Sequence, residues 1–272
     1  RMFINRILRS AYQYIRKIRK NPIQKIQTSG IGFNIVNLGS DYGGWSFVDD
    51  GNLNNCTIIS AGLGEDASFD VEFASKYDAK IIMVDPTPRA VTHFKALIEN
   101  IGRKKTQNYV EGGRQPIEAY ELSFFSKKNF NLVDKALWNK NTKLKFFLPP
   151  NPDHVSHSII NFQNNYNEDG KYIEVEATTM SSLILNLPQL DIKTVPLIKL
   201  DIEGAEIEVL IDCMKNKIFP SQILVEFDEL NAPSRRGFSR ITNIHNLMLE
   251  NGYSLIHRNG SANFLYLQNK TG

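Results

Sequence analysis

Hydrophobic runs of five to seven residues alternate with amphipathic helical stretches along most of this chain. The clearest runs cover residues 57–61, 80–84, 196–200 and 221–227. Short apolar runs with little polar alternation are typical of strands that are buried on both faces, as in parallel sheets covered by helices. The pattern therefore predicts an α/β protein with a mostly parallel sheet and helices on both of its faces.

Three stretches show the helical spacing of apolar residues, at intervals of three and four. They cover about residues 66–77, 87–101 and 236–251. Pro88 suits the first turn of the second of these helices. His93 lies off the apolar face of the same helix, so we expect its side chain to contact solvent.

Strands are also expected in the second half of the chain. Residues 144–148 and 172–177 alternate with period two and flank a polar stretch. We therefore predict a hairpin insert over residues 139–178, lying near the functional site. A further strand is predicted over residues 132–138, and the last two apolar segments of the chain are expected to pair antiparallel.

The first twenty residues differ in character from the rest. Residues 2–20 have helical spacing and six basic side chains without an acid, and Asn21-Pro22 ends the pattern. We therefore predict an N-terminal arm, residues 1–22, and one domain, residues 23–272. The arm either makes peripheral contact with an anionic membrane, packs on a partner, or is a solvated helix that caps the domain.

Composition narrows the class of protein. A chain of 272 residues with 42% hydrophobic content can bury one large core. The net charge of +3 does not indicate a nucleic-acid partner. The two cysteines fit no metal spacing and suit a reducing compartment, and there is no apolar run of membrane-spanning length and no signal-peptide pattern. We expect a cytoplasmic protein, with membrane association through the arm left open.

A glycine turn connects the first buried run to a helix. The run 57–61 is followed by Gly62 and Gly64, and the run 80–84 ends at Asp85. This is the layout of a nucleotide-type cofactor site. The glycines let the backbone turn tightly and approach a ligand, and Asp85 is placed to accept hydrogen bonds from two ribose hydroxyls.

The charges behind this turn distinguish between cofactors. Gly62, Gly64 and Ala67 also fit an NAD motif, but Glu65 and Asp66 stand where a pyrophosphate would meet the helix N-terminus. S-adenosylmethionine carries a sulfonium and an ammonium and no phosphate, so acids favour it. The residues predict a methyl-donor site over an NAD site, and a glycine turn without a ligand is the third interpretation.

A second group of acids follows the run 196–200. Asp201 comes directly after it, and Glu203 and Glu206 lie at the start of the next helix. Because ligands bind beyond the carboxyl ends of parallel strands, we expect Asp201 and Glu203 to face the same crevice as Asp85.

Together these segments resemble the FkbM family of S-adenosylmethionine-dependent methyltransferases. The resemblance lies in SAGLGED (60–66), VDPTP (84–88), AL (136–137) and above all IKLDIEGAE (198–206). It implies a Rossmann-like class I fold, with a mostly parallel seven-stranded sheet and an antiparallel C-terminal strand pair. It also implies O-methylation of a hydroxyl on a sugar, glycan or small metabolite.

The resemblance and the glycine turn together predict the cofactor-binding residues. They are Ser60, Ala61, Gly62, Gly64, Glu65, Asp66, Asp85, Pro86, Thr87, Ala136 and Asp201. Many methyltransferases have an acid at the position of Ser60. We therefore assign the ammonium of the donor to Glu65 or Asp66.

A hydroxyl acceptor is a poor nucleophile, so a base or a metal should assist. Asp201 is the first candidate base, followed by Glu203 and by His157 of the insert. Alternatively, Asp201 and Glu203 hold a divalent metal with Glu226 or Asp228. In a purely structural interpretation, Glu203 and Glu206 only stabilise the N-terminus of the following helix.

Two other functional classes stay open on the sequence. One is an NAD-dependent oxidoreductase, and the other is a non-catalytic binding module that keeps the fold. A homodimer is among the oligomeric states that the sequence leaves open.

Overall fold

The computed structural model describes residues 23, 26–147, 172–187, 190, 195–231, 233–260 and 262–269. The predicted N-terminal helix, residues 2–20, lies outside the described residues. So does His157, together with the polar stretch of the insert that surrounds it.

The described residues form twelve strands and five α-helices. The strands are β1 (Ile35–Leu38), β2 (Trp45–Val48), β3 (Thr57–Ala61), β4 (Lys80–Val84), β5 (Phe130–Val133), β6 (Ala136–Leu137), β7 (Thr142–Phe147), β8 (Tyr172–Thr178), β9 (Leu197–Leu200), β10 (Gln222–Glu226), β11 (Tyr253–Asn259) and β12 (Asn263–Gln268). The helices are α1 (Ser68–Tyr77), α2 (Pro88–Glu99), α3 (Met180–Leu185), α4 (Glu206–Lys215) and α5 (Arg235–Glu250).

The largest sheet has seven strands in the order β11-β12-β10-β9-β3-β4-β5. Strands β10, β9, β3, β4 and β5 are parallel, whereas β12 is antiparallel to both β10 and β11. The runs that lack polar alternation are the central strands, where both faces are buried. The α/β class predicted from these runs is confirmed.

Two hydrophobic clusters cover the two faces of this sheet. One contains buried residues of α4 and α5, such as Leu210 and Ile241. The other contains α1 and the β1–β2 hairpin, whose Phe47 packs edge-on against Phe69 and Phe73. Among the described helices, none is long and apolar enough to cross a membrane.

The prediction of one continuous strand over residues 132–138 is wrong, because two separate strands, β5 and β6, cover this range. β5 ends at Val133, where the Lys135 amide donates to the Val133 carbonyl at 2.8 Å and turns the chain. β6 then leaves the main sheet and joins a three-stranded sheet in the order β6-β8-β7. β7 and β8 are antiparallel, and this sheet brings Phe146 to the functional site.

The prediction that His93 contacts solvent is also wrong. His93 is 8% exposed, and its Nε2 lies 2.8 Å from the Tyr120 hydroxyl. That hydroxyl accepts a hydrogen bond from the Ala67 amide at 2.9 Å. Burial lowers the pKa of His93, so its neutral ring can accept the tyrosine proton. The contact anchors the N-terminal end of α1 beside the glycine turn.

Candidate functional site

A cavity of about 560 Å³ opens at the carboxyl ends of β3, β4, β9 and β10. The order of the parallel strands reverses between β3 and β9, which is where open α/β sheets bind ligands. The volume lies within the range of small-molecule sites, about 300–1,000 Å³.

Most of the predicted site residues come together around this cavity. Those that line it are Gly62, Gly64, Glu65, Asp66, Asp85, Pro86, Thr87, Ala136, Asp201, Glu203, Glu226 and Asp228. Ser60 and Ala61 do not line it, because both lie inside β3 with 0% exposure. The sequence could not separate these two from the turn that follows them.

The glycine turn passes directly against the end of β9. Gly62 has a φ of +87°, and a Cβ there would lie 1.8 Å from the Asp201 carbonyl oxygen. Its amide donates to the Val84 carbonyl at 3.0 Å. Gly62 is therefore required both for its left-handed backbone and for the close approach of two strands.

Asp85 is engaged by donors of the protein itself. Its Oδ2 accepts from the Leu63 and Gly64 amides, both at 3.0 Å. Its Oδ1 accepts from the Thr87 amide at 2.8 Å and the Thr87 hydroxyl at 2.7 Å. The carboxylate thus ties the glycine turn to the start of α2. A ribose contact of Asp85 stays a prediction.

The acids behind the turn also have partners. Glu65 lies 3.0 Å from Arg114 and 3.6 Å from Arg89, measured from carboxylate oxygen to guanidinium nitrogen. Asp66 accepts from the Ser40 hydroxyl at 2.6 Å and from the Ser68 amide at 2.9 Å, at the start of α1. Both line the cavity, but part of the charge of Glu65 is compensated by the two arginines.

Three further carboxyls, those of Asp201, Glu226 and Asp228, line the cavity at the ends of β9 and β10. Burial raises the pKa of Asp201, and the charges of Asp228 and Asp85 raise it further, against the opposing charge of Lys199. Burial and the Asp201 charge raise the pKa of Glu226 to about 7. Burial likewise raises the pKa of Asp228. A carboxyl whose pKa is about 7, as for Glu226, can accept or donate a proton near neutral pH.

The metal hypothesis gains no support from this arrangement. Within the part of the chain that the structure describes, no three His, Cys, Asp or Glu side chains come together in a group that could hold a metal ion. This includes the proposed set of Asp201, Glu203 and Glu226.

Glu203 and Glu206, the two acids that follow Asp201, have different surroundings. Glu206 is 1% exposed and accepts from the Ile202 amide at 2.8 Å and the Gly204 amide at 3.0 Å. The structural interpretation therefore holds for Glu206, which stabilises the turn before α4. Glu203 has a φ of +54° and lines the cavity.

Lys199 lines the cavity but is not among the site residues that were predicted from the sequence. Its ammonium donates to the Gly62 carbonyl at 2.5 Å and lies 5.6 Å from the centre of the Trp45 ring. A lysine within an otherwise apolar run was the available signal. Other lining residues without a sequence signal are Gly113, Phe146, Asn231, Asn259, Gly260 and Ala262.

Comparison with curated proteins and comparison with solved structures each find no match to this chain. A family described as "Methyltransferase FkbM domain" matches residues 52–255, three quarters of the 272 residues. The matched range contains the glycine turn, Asp85 and the acids at the ends of β9 and β10. The chain therefore belongs to the FkbM methyltransferase family.

Proposed function

We propose that this protein transfers a methyl group from S-adenosylmethionine to a hydroxyl of a sugar, glycan or small metabolite. The observation that supports this proposal is the composition of the cavity wall, where the described lining residues include eight acidic side chains and one lysine. Such a lining favours a cofactor with a sulfonium and an ammonium and repels the pyrophosphate of NAD. The reversed strand order of the parallel sheet supports a class I methyltransferase fold.

The residues around the cavity fit the donor. The glycine turn permits close approach of a ligand to the backbone, and Ala136 and Leu137 offer an apolar wall suited to an adenine ring. Asp66 and Glu203 present carboxylates to a cationic group. When bound, S-adenosylmethionine supplies an electrophilic methyl group on its sulfonium.

Asp201 is the proposed general base. It lies at the carboxyl end of β9 and lines the cavity, and its raised pKa makes its carboxylate a stronger base than that of an ordinary aspartate. In this role its carboxylate accepts the proton of the acceptor hydroxyl. The charge of Asp201 also raises the pKa of the Glu226 carboxyl, so the protonation of the two groups is linked.

Calorimetry with separate cofactors tests the proposed function. S-adenosylmethionine and its product S-adenosylhomocysteine should bind the full chain, and NAD should not. Binding of NAD in place of the donor would contradict the methyltransferase proposal. Donor binding without methylation of any hydroxylated acceptor would favour the non-catalytic binding module.

Donor affinity should rise between about pH 5.5 and 7.5. Glu226, with a pKa raised to about 7, is neutral below this value and charged above it, so the cavity becomes more negative as the pH rises. A negative cavity binds a cation more tightly. The upper limit keeps the donor's own amino group protonated, since α-amino groups have a pKa of about 7.7–8.0.

Two comparisons isolate this effect. The Glu226→Gln variant keeps an oxygen for the Asn231 amide, which donates to Glu226 at 3.1 Å, and should show a flatter pH dependence. S-adenosylhomocysteine lacks the sulfonium charge and should also show a smaller rise. If the donor affinities of wild type and variant change equally with pH, Glu226 does not contribute to donor binding.

A further inference from the structure

A group of three buried polar side chains, Ser60, Asp70 and Lys199, lies next to the glycine turn. Ser60 of β3 is the register partner of Lys199 of β9, so the two side chains share one face of the sheet. Helix α1 covers that face and contributes Asp70 from its first turn. All three side chains are at least 96% buried, because Ser60 is 0%, Asp70 1% and Lys199 4% exposed.

Lys199 connects this interior group to the cavity. Its ammonium donates to the Gly62 carbonyl at 2.5 Å and lies 5.6 Å from the Trp45 ring centre. Gly62 belongs to the glycine turn, and Trp45 starts β2 and lines the cavity. One side chain of β9 thus joins two other segments of the cavity wall.

The buried charge of Lys199 needs a counter-charge, and two carboxyls supply it. Asp201 lies on the cavity side and Asp70 on the interior side, and the charge of Lys199 lowers the pKa of each. Burial is the larger effect for Asp70 and raises its pKa to about 6. Within the described part of the chain, no hydrogen bond joins Asp70 to Lys199, so the compensation between their charges is electrostatic.

We propose that Lys199 is a positioning residue for donor binding. Its ammonium holds the Gly62 carbonyl and the Trp45 ring in place, and Asp70 is its buried counter-charge. The hydrogen bond keeps the Gly62 carbonyl turned toward the interior, so that the glycine turn presents a fixed surface to the donor. This inference rests on the proposed function, because it assigns the donor to the side of the cavity formed by that turn.

The test measures binding of S-adenosylhomocysteine by calorimetry to the full chain and to three variants. Lys199→Met keeps the length of the side chain and removes its charge and its donor. It should bind the product about tenfold more weakly, because the Gly62 carbonyl is no longer held and positioning the turn then costs free energy on binding. Lys80→Met is the control, because Lys80 is an exposed lysine at the start of β4 and should bind as wild type does.

The double variant Lys199→Met/Asp70→Asn separates positioning from stability. Removing both charges should raise the unfolding temperature above that of Lys199→Met, because the Asp70 carboxylate is then no longer left buried without the charge of Lys199. Product binding should nevertheless stay weak, because the contact with Gly62 is still missing. If Lys199→Met does not fold, product binding by the double variant tests whether the contact with Gly62 is needed.

Two results would contradict the proposals, one of them the proposed function and the other only the role of Lys199. If the wild-type chain binds neither donor nor product, the proposed function fails, and the role of Lys199 in donor binding fails with it. If wild type binds and either folded Lys199 variant binds with wild-type affinity, only the positioning role is overturned.

Discussion

Replacing Gly62 by alanine is expected to abolish donor binding and to lower the free energy of unfolding by roughly 2–6 kcal/mol. The left-handed backbone and the overpacking each cost about 1–3 kcal/mol. The Cβ would lie 1.8 Å from the Asp201 carbonyl oxygen, so either the glycine turn or the end of β9 must move. Both segments line the cavity, and urea denaturation with donor calorimetry measures the two effects.

Two other glycines provide matched controls. Gly112 has a φ of +89° but no atom within 4 Å of an added Cβ, so Gly112→Ala reports the backbone cost alone. Gly51 lacks both the positive φ and the close contact, so Gly51→Ala should be nearly neutral. If Gly62→Ala loses no more stability than Gly112→Ala, the close approach to Asp201 is not limiting.

Replacing Asp201 by asparagine is expected to lower methyl transfer by roughly 10²–10⁴-fold, the usual contribution of a general base. The amide has the same shape but cannot accept the proton of the acceptor hydroxyl. S-adenosylhomocysteine should bind the variant with little change, because the product has no sulfonium to lose a counter-charge. Transfer of labelled methyl groups to a panel of hydroxylated sugars measures the rate.

The Asp78→Asn variant is the control for this substitution. Asp78 is exposed at the end of α1, with a φ of +50° that asparagine adopts readily. It should transfer methyl groups at the wild-type rate. An unchanged rate in folded Asp201→Asn would exclude Asp201 as the base and leave Glu203 and Glu226 as the acids to test.

The predicted acids of the glycine turn illustrate what local patterns cannot resolve. Spacing alone placed Glu65 and Asp66 behind Gly64, and the structure keeps both at the cavity. Their partners come from elsewhere: Arg114 is 49 positions from Glu65 along the chain, and Ser40 is 26 positions from Asp66. Such partners decide how much charge is left for a ligand.

From the sequence alone, the hydrophobic runs determined the α/β class, the central parallel strands and the glycine turn. A strand that is buried on both faces needs a continuous apolar run, and a left-handed turn favours glycine. Both features can therefore be recognised from neighbouring residues in the sequence. The tertiary structure decided which polar groups meet. It brought Lys199 to Gly62 across 137 positions and buried His93 against Tyr120. It also directed the oxygens of Asp85 to the turn. Those contacts depend on strand order and helix packing, which determine distances between side chains that spacing along the chain does not encode.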